Sequence, residues 1–472
     1  MKRVSIFVAA STLLVLAMVG CGSNGNSTKP TSASGQSQML VTMGDAPSDR
    51  VIAFALTVNT MTLTGGTNPT VVSSPTRIEF VRDAGTFQPL VSAKIPSGTY
   101  TGATISVSNP QVVTIDTTTH APVQLTPALS NSTVTVTFNT PLTVTATTVE
   151  ADFDLDLANS VTISGNTATI NPVFHVSSKV VRDQDNDDFK DVRGVVNSVS
   201  SPSFTVTSVQ AAQMFTFATD SNTIFRGVTG LSQLTAGMIV EVDAKAQADG
   251  SLLAKRIEVD ADSDDGISIE GFTTATTGTP ATSFTLTEEF ESSFITALLN
   301  SLGVGNSITV NVGANTTFAV SDDGRLDNHD GGNGGHGGDD GGDVDLTGLS
   351  VNFDAKDIGK AQRVEATAIH QAAFQSSGLV LTADRVRLLQ QSLSGTVSNV
   401  TGSTTGTFTL TVAGDSAFAL LSGQTTLTVQ LVNGTLEDMT VANGATVRTR
   451  GLLFFNGTAN TYTLVASRVG QQ

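Results

Sequence analysis

Leu252-Leu253-Ala254-Lys255-Arg256-Ile257-Glu258-Val259 returns twice in altered form, as Leu381-Thr382-Ala383-Asp384-Arg385-Val386 and as Leu464-Val465-Ala466-Ser467-Arg468-Val469. Each copy closes a unit that opens in a similar way. Gly194-Val195-Val196, Gly271 and Gly395-Thr396-Val397 head the three units. Phe204-Thr205-Val206, Phe284-Thr285-Leu286 and Phe408-Thr409-Leu410 follow. Gly237-Met238-Ile239-Val240, Gly359 through Val364-Glu365-Ala366, and Gly444-Ala445-Thr446-Val447 precede the close. Landmarks kept in order over three copies mark an internal repeat, and a unit of about 70 residues suits a small barrel better than a thin solenoid turn. In the closing segment, period-two alternation puts Ala and Arg on one face and Ile or Val on the other. Arg256, Arg385 and Arg468 are therefore expected to lie across a barrel surface and pair with acidic neighbours; a ligand-reading Arg is the alternative.

Upstream of the repeats, Thr133-Val134-Thr135-Val136-Thr137-Phe138 and Asp152-Phe153-Asp154-Leu155-Asp156-Leu157 alternate apolar and polar residues, the pattern of half-buried strands. Ile95-Pro96-Ser97-Gly98-Thr99-Tyr100 reads as a turn feeding a strand. The expected fold is all-β: an N-terminal β-sandwich followed by three small OB-like β-barrel repeats, with one helix inserted in the second repeat. The expected organisation is 1–20 signal peptide, 21–37 lipidated Cys and flexible tether, 38–182 sandwich and 183–191 Asp-rich linker. Barrel repeat 1 is expected at 192–260, barrel repeat 2 at 267–391 and barrel repeat 3 at 392–472. The helix is expected over 287–302, with Thr287 as cap, Glu288 and Glu289 in the first turn, and Phe290, Phe294, Leu298 and Leu302 at four-residue intervals.

Thr42-Met43-Gly44-Asp45-Ala46-Pro47-Ser48-Asp49, Ile95 to Tyr100, Asp152 to Asp156 with Ser160-Val161, and Asn171-Pro172-Val173 together resemble the bacterial envelope family called domain of unknown function 4382. The repeats resemble the family called domain of unknown function 5666 and are similar to small periplasmic OB-like barrels. Neither resemblance implies an established activity.

Lys2-Arg3 precedes an uncharged apolar run, Val4 to Val19, which ends at Gly20-Cys21, the chain's single cysteine. A spanning helix needs about 20 apolar residues, so this run reads as an export signal. Its Leu16-Ala17-Met18-Val19-Gly20-Cys21 end has the layout of a lipoprotein signal in which Cys21 is acylated. The expected localisation is the cell envelope, lipid-anchored and outside the cytoplasm, on the outer membrane in a diderm cell. Losing Lys2 and Arg3 takes the formal charge from −18 to −20, which argues against nucleic acid as a partner.

Two Asp-rich runs occupy successive domain junctions. Asp183, Asp185, Asp187 and Asp191 form one candidate Ca²⁺ set, and Asp260, Asp262 and Asp264 the other, because oxygen ligands at alternating positions of a loop can converge on this cation. A solvated, self-repelling linker is the competing reading. Asp152, Asp154 and Asp156, on one strand face, are the alternative metal set. The Gly/Asp-rich loop 322–345, with His329 and His336, reads as an acidic loop. The chain has no Gly-x-Ser-x-Gly, His-Glu-x-x-His or phosphate-loop motif, so no catalytic residue is expected. The expected function is a non-catalytic, lipid-anchored structural or interaction module, with an envelope protein as partner. The alternative is a calcium-assisted glycan-binding or adhesion protein.

Overall fold

The computed structural model describes residues 36–46, 48–82, 87–145, 147–182, 188–209, 211, 213–259, 266–293, 303–320, 346, 348–369, 372–375, 378–402 and 405–471. The architecture is all-β, a sandwich followed by OB-like barrels.

In the sandwich, strand Gln36–Ala46 lies between Val149–Asp156, parallel to it, and Phe87–Pro96, antiparallel. Phe174–Val180 pairs with the far side of Val149–Asp156. Met39, Val41 and Met43 sit in register with Val149, Ala151 and Phe153, all of them buried. The second sheet is built on Val51–Thr64, Gly98–Ile115 and Thr133–Val144, and the last of these sends Thr133, Thr135 and Thr137 outward. Phe138 of this sheet meets Phe153 of the first edge-on, at 6.1 Å between centroids, which closes the core between the layers. The fully buried Tyr100 donates its hydroxyl hydrogen to Pro96 O at 2.8 Å. That bond ties the turn to the strand it feeds, because a buried hydroxyl must find a partner.

The three barrels share one circuit. Barrel A runs Asp188–Ser200, Ser203–Ser208, Met214–Ala218, Ile239–Ala246 and Leu252–Val259. Barrel B runs Gly266–Thr277, Ser283–Ser293, Ser307–Val320, Arg363–Ile369 and Gly378–Leu388. Barrel C runs Gln390–Thr401, Gly406–Thr411, Thr426–Glu437, Thr446–Asn456 and Thr461–Gln471. Counting strands within a barrel, each sheet closes in the order one, two, three, five, four and back to one. The third and fifth strands pair in parallel in every barrel.

The repeat landmarks have physical causes. Phe204, Phe284 and Phe408 are each only 1 % exposed at the same place in the second strand, and burial of such a ring stabilises by about 1.5–3 kcal/mol. Gly194, Gly271 and Gly395 sit where the first strand crosses the second. A β-carbon there would run into the carbonyl oxygens of Thr207, Thr287 and Thr411 respectively, so glycine permits the close approach of backbones in a tightly coiled barrel.

Two expectations change. Simple alternation would put Ala and Arg of the closing segment on one face. Instead Ala254 and Ile257, Ala383 and Val386, and Ala466 and Val469 are the buried pairs. In barrels A and C the register slips between these positions, and the added residue of a bulge reverses the phase of alternation. Arg256, Arg385 and Arg468 still pair with acids: Asp243 at 2.9 Å, Glu258 at 4.0 Å and Asp438 at 2.6 Å.

The helix expected over 287–302 is not formed from 287 to 293. Those residues continue strand Ser283–Ser293, paired with Gly266–Thr277. A register shift between Glu270 and Gly271 makes Glu289 the extra residue. Glu288 and Glu289 are buried instead of lying in a solvated first turn. Residues 294–302 lie outside the described residues.

From Gly35 to Gln472 the chain forms one compact unit. The core of barrel A is continuous with that of the sandwich. Ile52, Ala53, Ala55, Val113 and Ile115, on the opposite face of the second sandwich sheet, pack with barrel C. Barrel B shares a cluster with Leu452, Phe454 and Val465 of barrel C. The short helix Ala417–Ser422 lies at the barrel C contact, with Ser416 Oγ accepting from Ala419 N and Gly423, at φ 73°, ending it.

Candidate functional site: the charged junction of the modules

Barrel B meets its neighbours through charged side chains that leave the apolar pattern of their strands. Glu270 stands two residues after the buried Ser268 and follows Ile269; Glu365 stands between Val364 and Ala366. Both side chains are buried, which requires partners.

One cluster joins the sandwich to barrel B. The segment carrying Arg82 is fixed by Glu79, whose carboxylate accepts from Phe54 N at 2.8 Å and Arg82 N at 2.7 Å. Arg82 Nε then reaches Glu270 Oε2 at 3.1 Å. Arg363 Nη2 reaches the same oxygen at 2.8 Å, and its Nε reaches Glu289 Oε2 at 2.7 Å. The remaining Arg363 nitrogen donates to Gln390 O at 3.1 Å, and its backbone N–H donates to Gln391 Oε1 at 2.8 Å. Barrel C is thereby drawn into the same cluster. Burial pushes the Glu289 carboxyl above its ordinary value, against the pull of Arg363.

A second cluster joins barrels A and B. Arg193 Nη1 lies 2.7 Å from Glu365 Oε1, and Arg387 Nε lies 2.8 Å from Glu365 Oε2. Ser268 Oγ donates to the same carboxylate. Arg387 Nη2 continues to Glu241 of barrel A at 3.3 Å. Burial alone would raise Glu365, but Arg387 and Arg193 hold it well below the usual carboxylate range.

Between the sandwich and barrels B and C lies a cavity of about 40 Å³, room for a few water molecules. Asp49, Arg82, Arg363 and Ser392 supply part of its polar wall, and Phe272 and Phe418 part of its apolar wall. Asp49 Oδ1 accepts from Ser394 N at 3.0 Å. Burial pushes Asp49 up to about 6, with the Ser394 bond and Arg448 opposing it.

The sequence-derived metal candidates are placed as follows. Asp152 is buried and engaged by hydroxyls, accepting from Thr42 Oγ1 at 2.7 Å and Ser177 Oγ at 3.0 Å. Asp156 caps the short helix Leu157–Ser160 by accepting from Asn159 N at 3.0 Å, and it faces His175 Nε2 at 3.3 Å. Asp154 is in register with His175. Among the described residues no group of three His, Cys, Asp or Glu side chains is arranged to hold a metal ion. Asp183, Asp185, Asp187, Asp260, Asp262 and Asp264 lie outside the described residues, as do Cys21 and the loop 322–345. Asp191 falls on strand Asp188–Ser200, which begins inside the segment read as a linker.

Sequence reasoning missed Arg82, Arg193, Glu270, Glu289, Glu365 and Arg387. For Glu270 and Glu365 the available signal was a charged residue beside apolar strand neighbours, which alternation alone does not assign to an interior; Arg82, in a turn, carried no such signal.

Comparison with known proteins adds one family match. Residues 193–258, nearly all of barrel A, match the family model described as domain of unknown function DUF5666. No curated protein matches the chain. Among solved structures, drosophila Unr CSD456 is similar at 13% identity, covering 60% of this chain and 97% of its own, with a TM-score of 0.12. At that score the likeness carries no argument.

Proposed function

We propose that this chain is a non-catalytic, lipid-anchored cell-envelope protein that acts as a structural or interaction module, held outside the cytoplasm through an acylated Cys21. The observation that carries the reading is the use of its buried charges. Arg82, Glu270, Arg363 and Glu289, and likewise Arg193, Glu365 and Arg387, are spent on one another and fasten modules together. Such an arrangement gives a stiff body suited to presenting surfaces at a distance from an anchor. Among the described residues no helix is long and apolar enough to cross a membrane; on this reading the lipid supplies the attachment. Assignment of residues 38–182 to the domain of unknown function 4382 family belongs to the same proposal. Its support is that the motif residues Asp152 to Asp156 form an inner strand of the first sheet and Tyr100 pins the turn.

Fractionation of cells fed a labelled fatty acid tests this. The wild-type chain is expected in the membrane fraction carrying label, and Cys21→Ser is expected unlabelled and released. Equal fractionation of the two removes the anchor. Saturable, EDTA-sensitive retention on polysaccharide would favour the calcium-assisted glycan-binding alternative.

A further inference from the structure

Two consecutive sandwich residues, Asp49 and Arg50, hold barrel C. Asp49 O accepts from Ala417 N at 2.7 Å, at the start of helix Ala417–Ser422. Asp49 Oδ1 accepts from Ser394 N on the first strand of barrel C. Arg50 Nε lies 3.3 Å from Asp415 Oδ2, and Arg50 O is itself held by Thr114 Oγ1. Beside this grip, Ile52 and Ala53 share a hydrophobic cluster with Phe418 and Leu421. A half-buried ionisable group thus stands beside an apolar contact.

We propose that Asp49–Arg50 is a pH-sensitive latch, which holds barrel C on the sandwich more firmly in mildly acidic than in neutral surroundings. The groups facing the Asp49 carboxyl come from each element packed on it. Arg448, on strand Thr446–Asn456, favours the charged form, as do the Ser394 bonds, and Asp415 disfavours it. Arg82 and Arg363 line the same cavity, and Arg50 is committed to Asp415. Burial outweighs the favourable contacts and raises Asp49 from 3.8 to about 6.

The sign follows from linkage. The docked carboxyl holds its proton more tightly than the undocked one. Its contribution to docking is complete below pH 3.8, declines between there and about 6, and is lost above. The full swing corresponds to a change in the docking equilibrium on the order of 100-fold.

Amide hydrogen exchange on the full chain tests the latch, after correction for the intrinsic pH dependence of exchange. Peptides covering Ser394 and Ala417 are expected to lose protection, relative to sandwich-core peptides around Ile105, by ten-fold or more between pH 4.5 and 7.5. Asp49→Asn keeps an oxygen for the Ser394 N–H but cannot ionise, so its profile should be flat. A sloping profile in Asp49→Asn, or a flat one in the wild type, overturns the proposal. Should Asp49→Asn fail to fold, Arg448→Gln serves instead. Removing that cation must move the midpoint to higher pH, and an unmoved midpoint overturns the latch equally.

Discussion

Arg82 Nε and Glu270 Oε2 lie 3.1 Å apart, although 188 residues separate them in the chain. One residue belongs to the sandwich and the other to the first strand of barrel B, so the bridge records how the modules are docked. Both side chains are buried, and the same Glu270 oxygen also receives Arg363. Breaking a buried pair from one side leaves an uncompensated charge, which costs about 3–5 kcal/mol. Glu270→Ala is therefore expected to lower the urea midpoint by a corresponding amount. Replacing Arg82 and Glu270 together by apolar residues should recover part of that loss. A double variant as unstable as the sum of the singles would argue that the two are not coupled.

Glu365 offers a test with a pH signature. Its folded-state value is depressed, so its contribution is present above the ordinary carboxyl value of 4.5 and is lost as pH falls towards the lower folded value. Glu365→Gln should cost about 3–5 kcal/mol at pH 7. The gap between variant and wild type should narrow between pH 5 and 3 in denaturant titrations. A gap that stays constant over that range would contradict the ion-pair explanation.

The opening glycines should behave alike in three separate places. Gly194→Ala, Gly271→Ala and Gly395→Ala each push a methyl into a backbone carbonyl of the neighbouring strand. Each is expected to destabilise by about 1–3 kcal/mol, the range for overpacking. Gly98→Ala, where a β-carbon meets nothing within 4 Å, is the control. Thermal melts that rank Gly98→Ala with the other three would dismiss the close-approach argument.

Tyr100→Phe removes one hydroxyl from the sandwich core and leaves Pro96 O without that donor. The expected loss is about 1 kcal/mol, read as a lower melting temperature with the fold retained. No change in stability would mean that the bond contributes nothing net.

The strand content, the threefold repeat and its buried Phe and Gly landmarks were legible in the sequence, because each is set by local periodicity or by one close backbone contact. Where locality failed, a bulge was responsible. Thr287-Glu288-Glu289 has the look of a helix start, yet the slip opposite Glu270 turns Glu289 inward to Arg363, 74 residues away. The same device turned Ala254 and Ile257 to one side. Asp152 was legible as a polar strand residue, but its partners Thr42 and Ser177 were not, since they arrive on neighbouring strands.

By itself, then, the sequence determined the modules and their order. Each barrel repeats the same apolar positions, and the same closed five-stranded circuit buries them each time. Only the tertiary structure decided which charges meet. A buried ion pair depends on the relative placement of two whole modules, and neither Arg82 nor Glu270 carries in its own surroundings any mark of the other.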